Sequence, residues 1–400
     1  MRKNIIYPFV IVLIAGISIS VFSQESAQNA QSVDSFIARI EGVQDKDAEG
    51  DGSLTLSQLM EKYHVPGVSI AVIKDFDIHW AKGYGIADVD TGAKVDTETL
   101  FQAASISKPV NAMAMLKMVQ DGKFGLDDNI NSILLSWQVP PSEFTAKQPV
   151  TPRAIASHTA GFGDGFGFPG YNPGEPLPTT VQIIKGEKPS NRGPVQLVRP
   201  PLAAFQYSGG GVTILQLALT DIAKKPYAEL LQETVLDPIG MTVSTFEQPL
   251  SPERDKNAAR GHNQTGESMG PKWHVYPEYA AAGLWTTPTD LAKFAIEVQK
   301  SYHGESNKVL SKEMVSEMLS PVGVGQYAVG FSIGKMGEGW YFSHGGGNWG
   351  FVCGLVAHKV KGYGFVVMTN SFSGGRIIQQ LNKRMEAAYR YDSLDKPVPR

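Results

Sequence analysis

The sequence predicts a mixed fold of the α/β (α+β) type, in which an antiparallel sheet is built from both ends of the chain and flanked by helices. Two strand-like segments joined by a turn occur early, over 65–89. A long middle section alternates helical segments with Gly- and Pro-rich loops. Four more strand-like segments over 326–371 and an amphipathic helix over 375–391 follow. Strands at both ends with helices between them favour one sheet carrying an inserted, mainly helical region.

The first segment has the layout of a secretory signal peptide. Arg2 and Lys3 precede an apolar run that extends to Val21, and cleavage is predicted between Ser23 and Gln24. The alternative is an uncleaved membrane anchor, because the run is close to the shortest apolar length that spans a bilayer. No later apolar run is long enough to cross a membrane. We therefore expect an exported protein, periplasmic or secreted, with no stable membrane span after cleavage.

The sequence therefore predicts four sections: a signal peptide (1–23), an N-terminal helix with an acidic linker (24–50), the main domain (51–390) and a loose tail (391–400). The end of the linker and the first residue of the main domain supply Asp47, Glu49 and Asp51, in a pattern similar to the beginning of a calcium-binding loop. The twelfth position of that loop is Gln58, where such a site needs a bidentate glutamate. A solvated acidic turn is the preferred interpretation. The histidines show no zinc-site spacing, so no metal and no other cofactor is expected.

Composition excludes several classes of function. Charged residues make up 19% of the 400 residues and the formal net charge is −3, whereas a nucleic-acid-binding protein needs a basic face. The single cysteine, Cys353, cannot form an intramolecular disulfide. It lies in an apolar strand-like segment and is expected to be a core residue rather than a nucleophile. The sequence leaves the oligomeric state open.

A pair of reactive side chains marks the beginning of the central helix. Ser105 and Lys108 in the stretch "SISK" are three residues apart, and Pro109 follows. Proline is tolerated only in the first turn of a helix, so the helix must begin just before it. Residues at i and i+3 share a face, which places the lysine amine beside the serine hydroxyl. A hydroxyl needs such an adjacent base to become a nucleophile.

A second serine matches two nucleophile patterns at once. Ser332 lies in "GFSIG", a match to G-x-S-x-G, and in "SIGK", a match to S-x-x-K. A G-x-S-x-G nucleophile must stand between a strand and a helix, but the glycines and aromatics after Ser332 predict a strand and a hairpin turn. On a strand, Ser332 and Lys335 point to opposite faces. Ser332 is therefore expected to lie on a core strand next to the one that carries His344, outside the catalytic set.

The order of three motifs resembles the serine β-lactamase and penicillin-binding-protein superfamily, especially its class C β-lactamase, D,D-peptidase and family VIII esterase branches. That family carries S-x-x-K, then Y-x-N, then K-T-G or H-x-G. This chain has "SISK" at Ser105, "YSG" at Tyr207 and "HGG" at His344. Flanking stretches such as "SHTAGF" and "AAGLWTTPTDLAKF" also match the family style. The resemblance covers roughly residues 50–385 and implies a β-lactamase/transpeptidase-like fold.

The resemblance also implies roles for individual residues. Ser105 is expected to accept the acyl group, Lys108 to share or take its proton, and Tyr207 to be the second acid/base group. The backbone N–H groups of Ser105 and Gly347 are expected to form the oxyanion hole. His344 would line the substrate cleft. The substrate-binding positions further include Gly346 and Gly209, and His158 in "SHTAGF" is expected to be structural and close to the site.

Two departures from the family pattern affect the expected substrate. Gly209 stands where the Y-x-N asparagine would supply a side-chain amide, and His344 replaces a lysine whose fixed charge would attract a carboxylate. Both favour an ester or another acyl substrate over a β-lactam or a peptide, with the charge of His344 set by pH. The expected function is an exported serine hydrolase that acts through an acyl-serine intermediate on a small-molecule or peptide acyl substrate, an amide or an ester. The sequence does not distinguish a β-lactam, a D-Ala-D-Ala-type peptide and a carboxylic ester. The alternatives are a non-catalytic acyl- or penicillin-binding protein on the same fold, or an α/β-hydrolase that uses Ser332.

Overall fold

The computed structural model describes residues 33–45, 49–163, 167–323, 325–337 and 339–389. The predicted signal peptide, Asp47 and the predicted tail lie outside the described residues. The section boundaries assigned from the sequence therefore stay predictions. Among the described residues, no helix is long and apolar enough to cross a membrane.

An antiparallel sheet of seven strands organises the described part of the chain, in the order β3-β2-β1-β9-β8-β7-β6. The first long strand pairs with the last, for example Val68 with Thr369, so both ends of the chain build one sheet as predicted. The strands are β1 (Gly67–Lys74), β2 (Asp77–Asp88), β3 (Ala93–Lys94), β6 (Ser332–Met336), β7 (Gly339–Asn348), β8 (Phe351–His358) and β9 (Gly364–Thr369). A separate small sheet pairs β4 (Phe101–Gln102) with β5 (Trp285–Thr286).

Helices cover both faces of the large sheet, and most of them belong to the segment between β4 and β6. Short 3-10 turns occur at Asp51–Ser53, Ala104–Ile106 and Ile130–Ser132, and a π-helical turn at Gln232–Leu236 follows α7. The helices are α1 (33–41), α2 (Leu56–Lys62), α3 (Ser107–Gln120), α4 (Pro152–Ala156), α5 (Thr180–Lys185), α6 (Gly209–Ala223), α7 (Tyr227–Leu231), α8 (Asp237–Ile239), α9 (Pro252–Asp255), α10 (Tyr279–Ala282), α11 (Pro288–His303), α12 (Lys312–Met318) and α13 (Gly374–Tyr389).

The near-continuous apolar run of β1 has a structural cause. Successive side chains of a strand point to opposite faces. Val68, Ile70 and Val72 join the core beneath α1, α2 and α13, whereas Ala71 and Ile73 join the larger core shared with the helical region. Both faces of β1 are therefore buried, and the predicted insertion of a helical region into the sheet is confirmed.

One acidic residue of the predicted solvated turn, Asp51, is buried, whereas Glu49 is exposed. Asp51 is 2% exposed and accepts hydrogen bonds from Lys62 Nζ (2.6 Å), Tyr63 Oη (2.5 Å) and Gln380 Nε2 (3.0 Å). Burial by itself would raise the pKa of Asp51, but the bonds from Lys62 and Tyr63 outweigh it and lower the pKa. Gln58 closes a capping box with Thr55 at the beginning of α2. Among the described residues no cluster of potential ligands could hold a metal ion.

Helix α1, assigned from the sequence to a separate N-terminal section, packs on the main domain. Ile40 is fully buried in the core beneath α1, α2 and α13. Arg384 of α13, 1% exposed, donates to the carbonyl oxygens of Ile40 (2.9 Å), Gly42 (2.8 Å) and Leu54 (2.6 Å). The guanidinium thus ties the end of α1 and the approach to α2 to the last helix.

Candidate active site

The serine of the "SISK" stretch stands on a tight turn at the beginning of the central helix. Ser105 lies in the 3-10 turn Ala104–Ile106, which runs directly into α3. Ala104 has φ of 48°, a left-handed conformation that costs a non-glycine residue on the order of 1–2 kcal/mol. Ser107 holds the turn in place, because its hydroxyl donates to Ala104 O (2.6 Å) and accepts from Leu284 N (3.0 Å). The sequence correctly placed the helix start just before Pro109.

The lysine of the same stretch is buried and directed at the serine. Lys108 is 4% exposed, and its Nζ lies 3.0 Å from Ser105 Oγ and 2.8 Å from the carbonyl oxygen of Ala281. Nζ also lies 5.0 Å from the ring centre of Tyr207. The structure therefore brings together the three residues predicted to be catalytic. The carbonyl of Ala281, on α10, was not identified from the sequence, although "AAGLWTT" was among the stretches that match the family.

A buried histidine supports the segment that carries Tyr207. The His158 ring lies 4.1 Å from that of Tyr207, its Nδ1 accepts from Ser208 N (3.1 Å) and its carbonyl accepts from Gln206 N (2.7 Å). Burial lowers the pKa of His158 well below its ordinary value, helped by the nearby charge of Lys108. Neutral His158 packs against the Tyr207 ring and holds the backbone on either side of Tyr207 by hydrogen bonds, which are contacts of a structural kind.

His344 faces the same site from strand β7. It is 8% exposed, and its Nδ1 lies 2.6 Å from Gly345 O, which makes Nδ1 the protonated nitrogen of the neutral ring. Burial, with a smaller effect of the Lys108 charge, lowers the pKa of His344 to about 3. The sequence analysis expected the charge of His344 to follow pH. The structure instead keeps it neutral at any pH near neutrality.

Two glycines of β7 lie beside the nucleophile turn for different reasons. A Cβ added to Gly346 would stand 2.2 Å from Ala103 O and 2.6 Å from Cys353 Sγ, so only glycine permits this approach of the strand to the turn. Cys353 is a buried core residue whose Sγ donates to Ala103 O (3.0 Å), and burial raises the pKa of its thiol. A Cβ at Gly347 would meet open space, which leaves the region beside Ser105 accessible.

A cavity of about 410 Å³ opens onto these groups. None of the described residues lining it is a lysine, an arginine or a carboxylate. Tyr327 and Ser343 are lining residues that were missed from the sequence, since no motif marks them. The lining consists of Ser105, Gly167, Tyr207, Tyr327, Ser332, Ser343, His344, Gly345, Gly346 and Gly347.

Gly209 does not occupy the substrate-binding position suggested by the Y-x-N motif. It is the first residue of α6 and is not among the residues that line the cavity. A Cβ at Gly209 would lie 2.8 Å from Cε2 of Phe168, whose ring covers it. The glycine at this position therefore makes room for an aromatic ring.

Ser332 lies on the strand expected for it. It begins β6 and pairs with Ser343 of β7, adjacent to His344. The chain then turns from Met336 back to Gly339 in a hairpin rather than entering a helix. Ser332 also contributes to the cavity wall, which was not expected, but the described residues place no base beside it of the kind that Lys108 gives Ser105.

Fold and site together define a serine hydrolase-type architecture with a Ser-x-x-Lys turn, a tyrosine and a glycine-rich strand around one cavity. A family model described as Beta-lactamase matches residues 54–389. The chain belongs to the beta-lactamase family, as the order of its motifs predicted.

Relatives with known structures share the fold at low sequence identity. The octameric penicillin-binding protein homologue from Pyrococcus abyssi is 23% identical, with a TM-score of 0.66 over 85% of this chain and 76% of that one. The D-amino acid amidase from Ochrobactrum anthropi SV3 is 20% identical, with a TM-score of 0.65 over 84% of this chain and 99% of that one. At these identities the likeness shows the fold alone.

Protein flp from Staphylococcus aureus (strain N315) is 23% identical over 345 residues. The match includes 84% of this chain but 66% of that protein, so this chain spans just under two thirds of the length of the relative.

Proposed function

We propose that this protein is a serine hydrolase that cleaves an amide or an ester through an acyl-serine intermediate. The observation that carries the proposal is the 3.0 Å contact between Lys108 Nζ and Ser105 Oγ, made inside a cavity that Tyr207 also lines. A protein that binds its ligand without forming a covalent bond has no need of a buried lysine directed at a cavity-lining serine. Burying an amine is costly unless it is used, which favours a reactive serine, and turnover then distinguishes an enzyme from a protein that is acylated only once.

The contacts of Lys108 suggest how the serine is activated. As an ammonium, Lys108 donates to both Ser105 Oγ and Ala281 O. As a neutral amine it can keep its bond to Ala281 O while its lone pair accepts the proton of Ser105. The carbonyl of Ala281 therefore orients the amine in both protonation states, which is what a general base requires.

The reaction then runs in two halves. Ser105 Oγ attacks the substrate carbonyl carbon as its proton passes to Lys108, and the carbonyl oxygen becomes an oxyanion held by the N–H groups of Ser105 and Gly347. The tetrahedral intermediate collapses, and Tyr207 donates its proton to the departing alcohol or amine, recovering it from Lys108. In the second half a water molecule attacks the acyl carbon and gives a proton to the same pair. The bond between that carbon and Ser105 Oγ then breaks, and the pair returns the proton to Oγ, which releases the acid and restores free Ser105.

The cavity favours an uncharged substrate. A buried carboxylate needs a cation or several hydrogen-bond donors. Among the described residues that line the cavity, the one that faces Ser105 from β7 is His344, and its side chain is neutral. These features favour a neutral ester or amide over an anionic β-lactam. The amidase among the structural relatives supports amide chemistry on this fold.

Export belongs to the same proposal. The arrangement of Arg2, Lys3 and the apolar run that follows is typical of a signal peptide, which predicts action outside the cytoplasm. Sequencing the N-terminus of the mature protein tests it, with Gln24 expected as the first residue. An N-terminus at Met1 on membrane-bound protein would support the uncleaved anchor instead.

A fluorophosphonate probe tests the nucleophile. It should label the wild-type protein and the matched control Ser332→Ala, and mass mapping should place the adduct on Ser105. Ser105→Ala should lose the labelling. An adduct on Ser332, or undiminished labelling of Ser105→Ala, would falsify the assignment.

Turnover separates the enzyme from a binding protein. With 4-nitrophenyl acetate, a chromogenic cephalosporin and a D-Ala-D-Ala peptide, we expect continued turnover of the ester and slower turnover of the two anionic compounds. One equivalent of product followed by no further release would identify the non-catalytic acyl-binding alternative.

A further inference from the structure

Aromatic rings pack against one another from the cavity-lining Tyr207 and Tyr327 to Phe205 at the protein surface. We call the set Tyr207, His158, Tyr327 and Phe205 the aromatic wall. The Tyr327 ring lies 6.5 Å from that of Tyr207 and 5.6 Å from that of Phe205. The His158 ring contacts the same two, at 4.1 Å from Tyr207 and 6.0 Å from Phe205. Tyr207 and Phe205 are thus connected through two shared neighbours.

The outer end of the wall is exposed, although an apolar ring is normally buried. Phe205 is 42% exposed, whereas Tyr327 is 8% exposed and lines the active-site cavity. Two other large apolar side chains of the same segment are also exposed, Val198 at 51% and Leu202 at 40%. Single exposed apolar residues are ordinary, but three in one segment, with the Phe205 ring beside cavity-lining Tyr327, are typical of a binding surface.

The backbone holds this segment firmly. Gln206 N donates to His158 O (2.7 Å), and Leu202 N donates to Thr159 O (2.7 Å). Leu202 has φ of 64°, a left-handed conformation that a leucine adopts only where the surrounding structure enforces it. Phe205 is therefore presented at a fixed position, so a ligand meets a preformed surface and does not have to order it.

The chemistry of Tyr207 indicates which part of a substrate reaches this wall. In the proposed mechanism Tyr207 protonates the leaving oxygen or nitrogen, so the group attached to that atom must lie beside Tyr207. The rings of the aromatic wall lie near Tyr207, some on the segment that carries Tyr207 and some on the segments packed against it. The acyl group, which stays on Ser105, lies on the other side of the scissile bond.

We infer that the aromatic wall receives an apolar leaving group, so that the substrates are esters or amides of an apolar alcohol or amine. The inference rests on the proposed acyl-serine mechanism and adds the substrate class to it. Each methylene that the wall takes from water should raise kcat/KM about threefold to fourfold, the rate equivalent of burying one methylene.

A series of 4-alkylphenyl acetates (methyl, ethyl and butyl) tests the inference, because the alkyl group changes the apolar surface with little effect on the acidity of the phenol. We expect kcat/KM to rise along the series in the wild-type protein. The acetyl-enzyme is common to the series, so a kcat limited by deacylation should stay constant. In Phe205→Ser the rise should flatten to less than twofold from methyl to butyl.

Two controls make the result specific. Phe372→Ser removes a phenylalanine that is also 42% exposed but follows β9, and among the described residues its ring is not one of those beside Tyr327, as that of Phe205 is; this variant should keep the wild-type rise. A second series varies the acyl chain of 4-nitrophenyl esters, and its length dependence should be the same in Phe205→Ser as in wild type. Thermal unfolding checks that both variants are folded.

The inference would be overturned if kcat/KM rose along the alkylphenyl series in folded Phe205→Ser as it does in the wild-type protein. It would also be overturned if the substitution changed kcat/KM only along the acyl-chain series. Failure of the proposed function has a different signature, namely loss of fluorophosphonate labelling at Ser105 in the wild-type protein.

Discussion

Gly346→Ala should damage catalysis by moving the strand away from the nucleophile. The added Cβ would stand 2.2 Å from Ala103 O, where heavy atoms seldom approach within 3.0 Å. Relief therefore requires a shift on the order of 1 Å between β7 and the turn that carries Ser105. The obstacle is a backbone carbonyl, which cannot rotate away as a flexible side chain can. A displacement of about 1 Å in an active site can cost about 100-fold in rate.

The assay is the second-order rate constant for fluorophosphonate labelling of Ser105, measured together with thermal unfolding. We expect Gly346→Ala to label about 100 times more slowly and to lose about 1–3 kcal/mol of stability from overpacking. Gly334→Ala on the neighbouring strand β6 is the matched control, because its Cβ would meet no atom within 4 Å. Its labelling should stay within about twofold of wild type.

A third variant identifies the contact responsible. Adding Cys353→Ala to Gly346→Ala removes the 2.6 Å contact with Sγ but leaves the one with Ala103 O, so labelling should stay slow. Wild-type labelling and stability in Gly346→Ala would refute the reasoning, since β7 and the turn would then have room for a side chain. Full recovery in the double variant would assign the effect to the sulfur alone.

Two further predictions concern stability. His344 stays neutral to about pH 3 when folded but takes up a proton near pH 6.5 when unfolded, so stability should fall as pH drops from 8 to 5, by on the order of 2 kcal/mol from this residue. Urea unfolding at both pH values should show that loss reduced in His344→Gln; an equal loss in the variant would contradict burial of the ring. Arg384→Lys should lower the free energy of unfolding by about 2–5 kcal/mol, because an ammonium cannot serve the buried and partly buried carbonyls of Ile40, Gly42 and Leu54 that the guanidinium reaches. The exposed Arg376→Lys on the same helix should change it by less than about 0.5 kcal/mol, and an equally small effect at Arg384 would count against the tie between α1 and α13.

The sequence was informative wherever the chemistry depends on neighbours along the chain. The spacing of Ser105, Lys108 and Pro109 fixes a helix start with two functional groups on one face, because helix geometry is local. Ser332 could be excluded as the nucleophile on equally local grounds, because a strand followed by a hairpin cannot form the strand-to-helix turn that such a serine needs. The joining of strands from both ends of the chain in one sheet was also predictable, because both ends carry strand patterns.

The charge of individual side chains and the space around individual residues depend on the tertiary structure. The sequence predicted a charge on His344 that follows pH, yet the fold buries the ring beside Lys108 and keeps it neutral. Asp51 seemed solvated, yet Gln380, 329 positions away, helps to bury and pair it. Gly209 matched a substrate-binding position by order alone, whereas the fold places Phe168 against it.

The carbonyl of Ala281 and the ring of Tyr327 illustrate the same limit within the site. A backbone carbonyl carries no sequence signal at all, and Tyr327 becomes part of the cavity only because its loop folds against Tyr207 and His344. The local pattern of the chain thus determined which groups can react. Desolvation, charge and the closeness of approach depend on residues far apart in sequence, so these were set only when the chain folded.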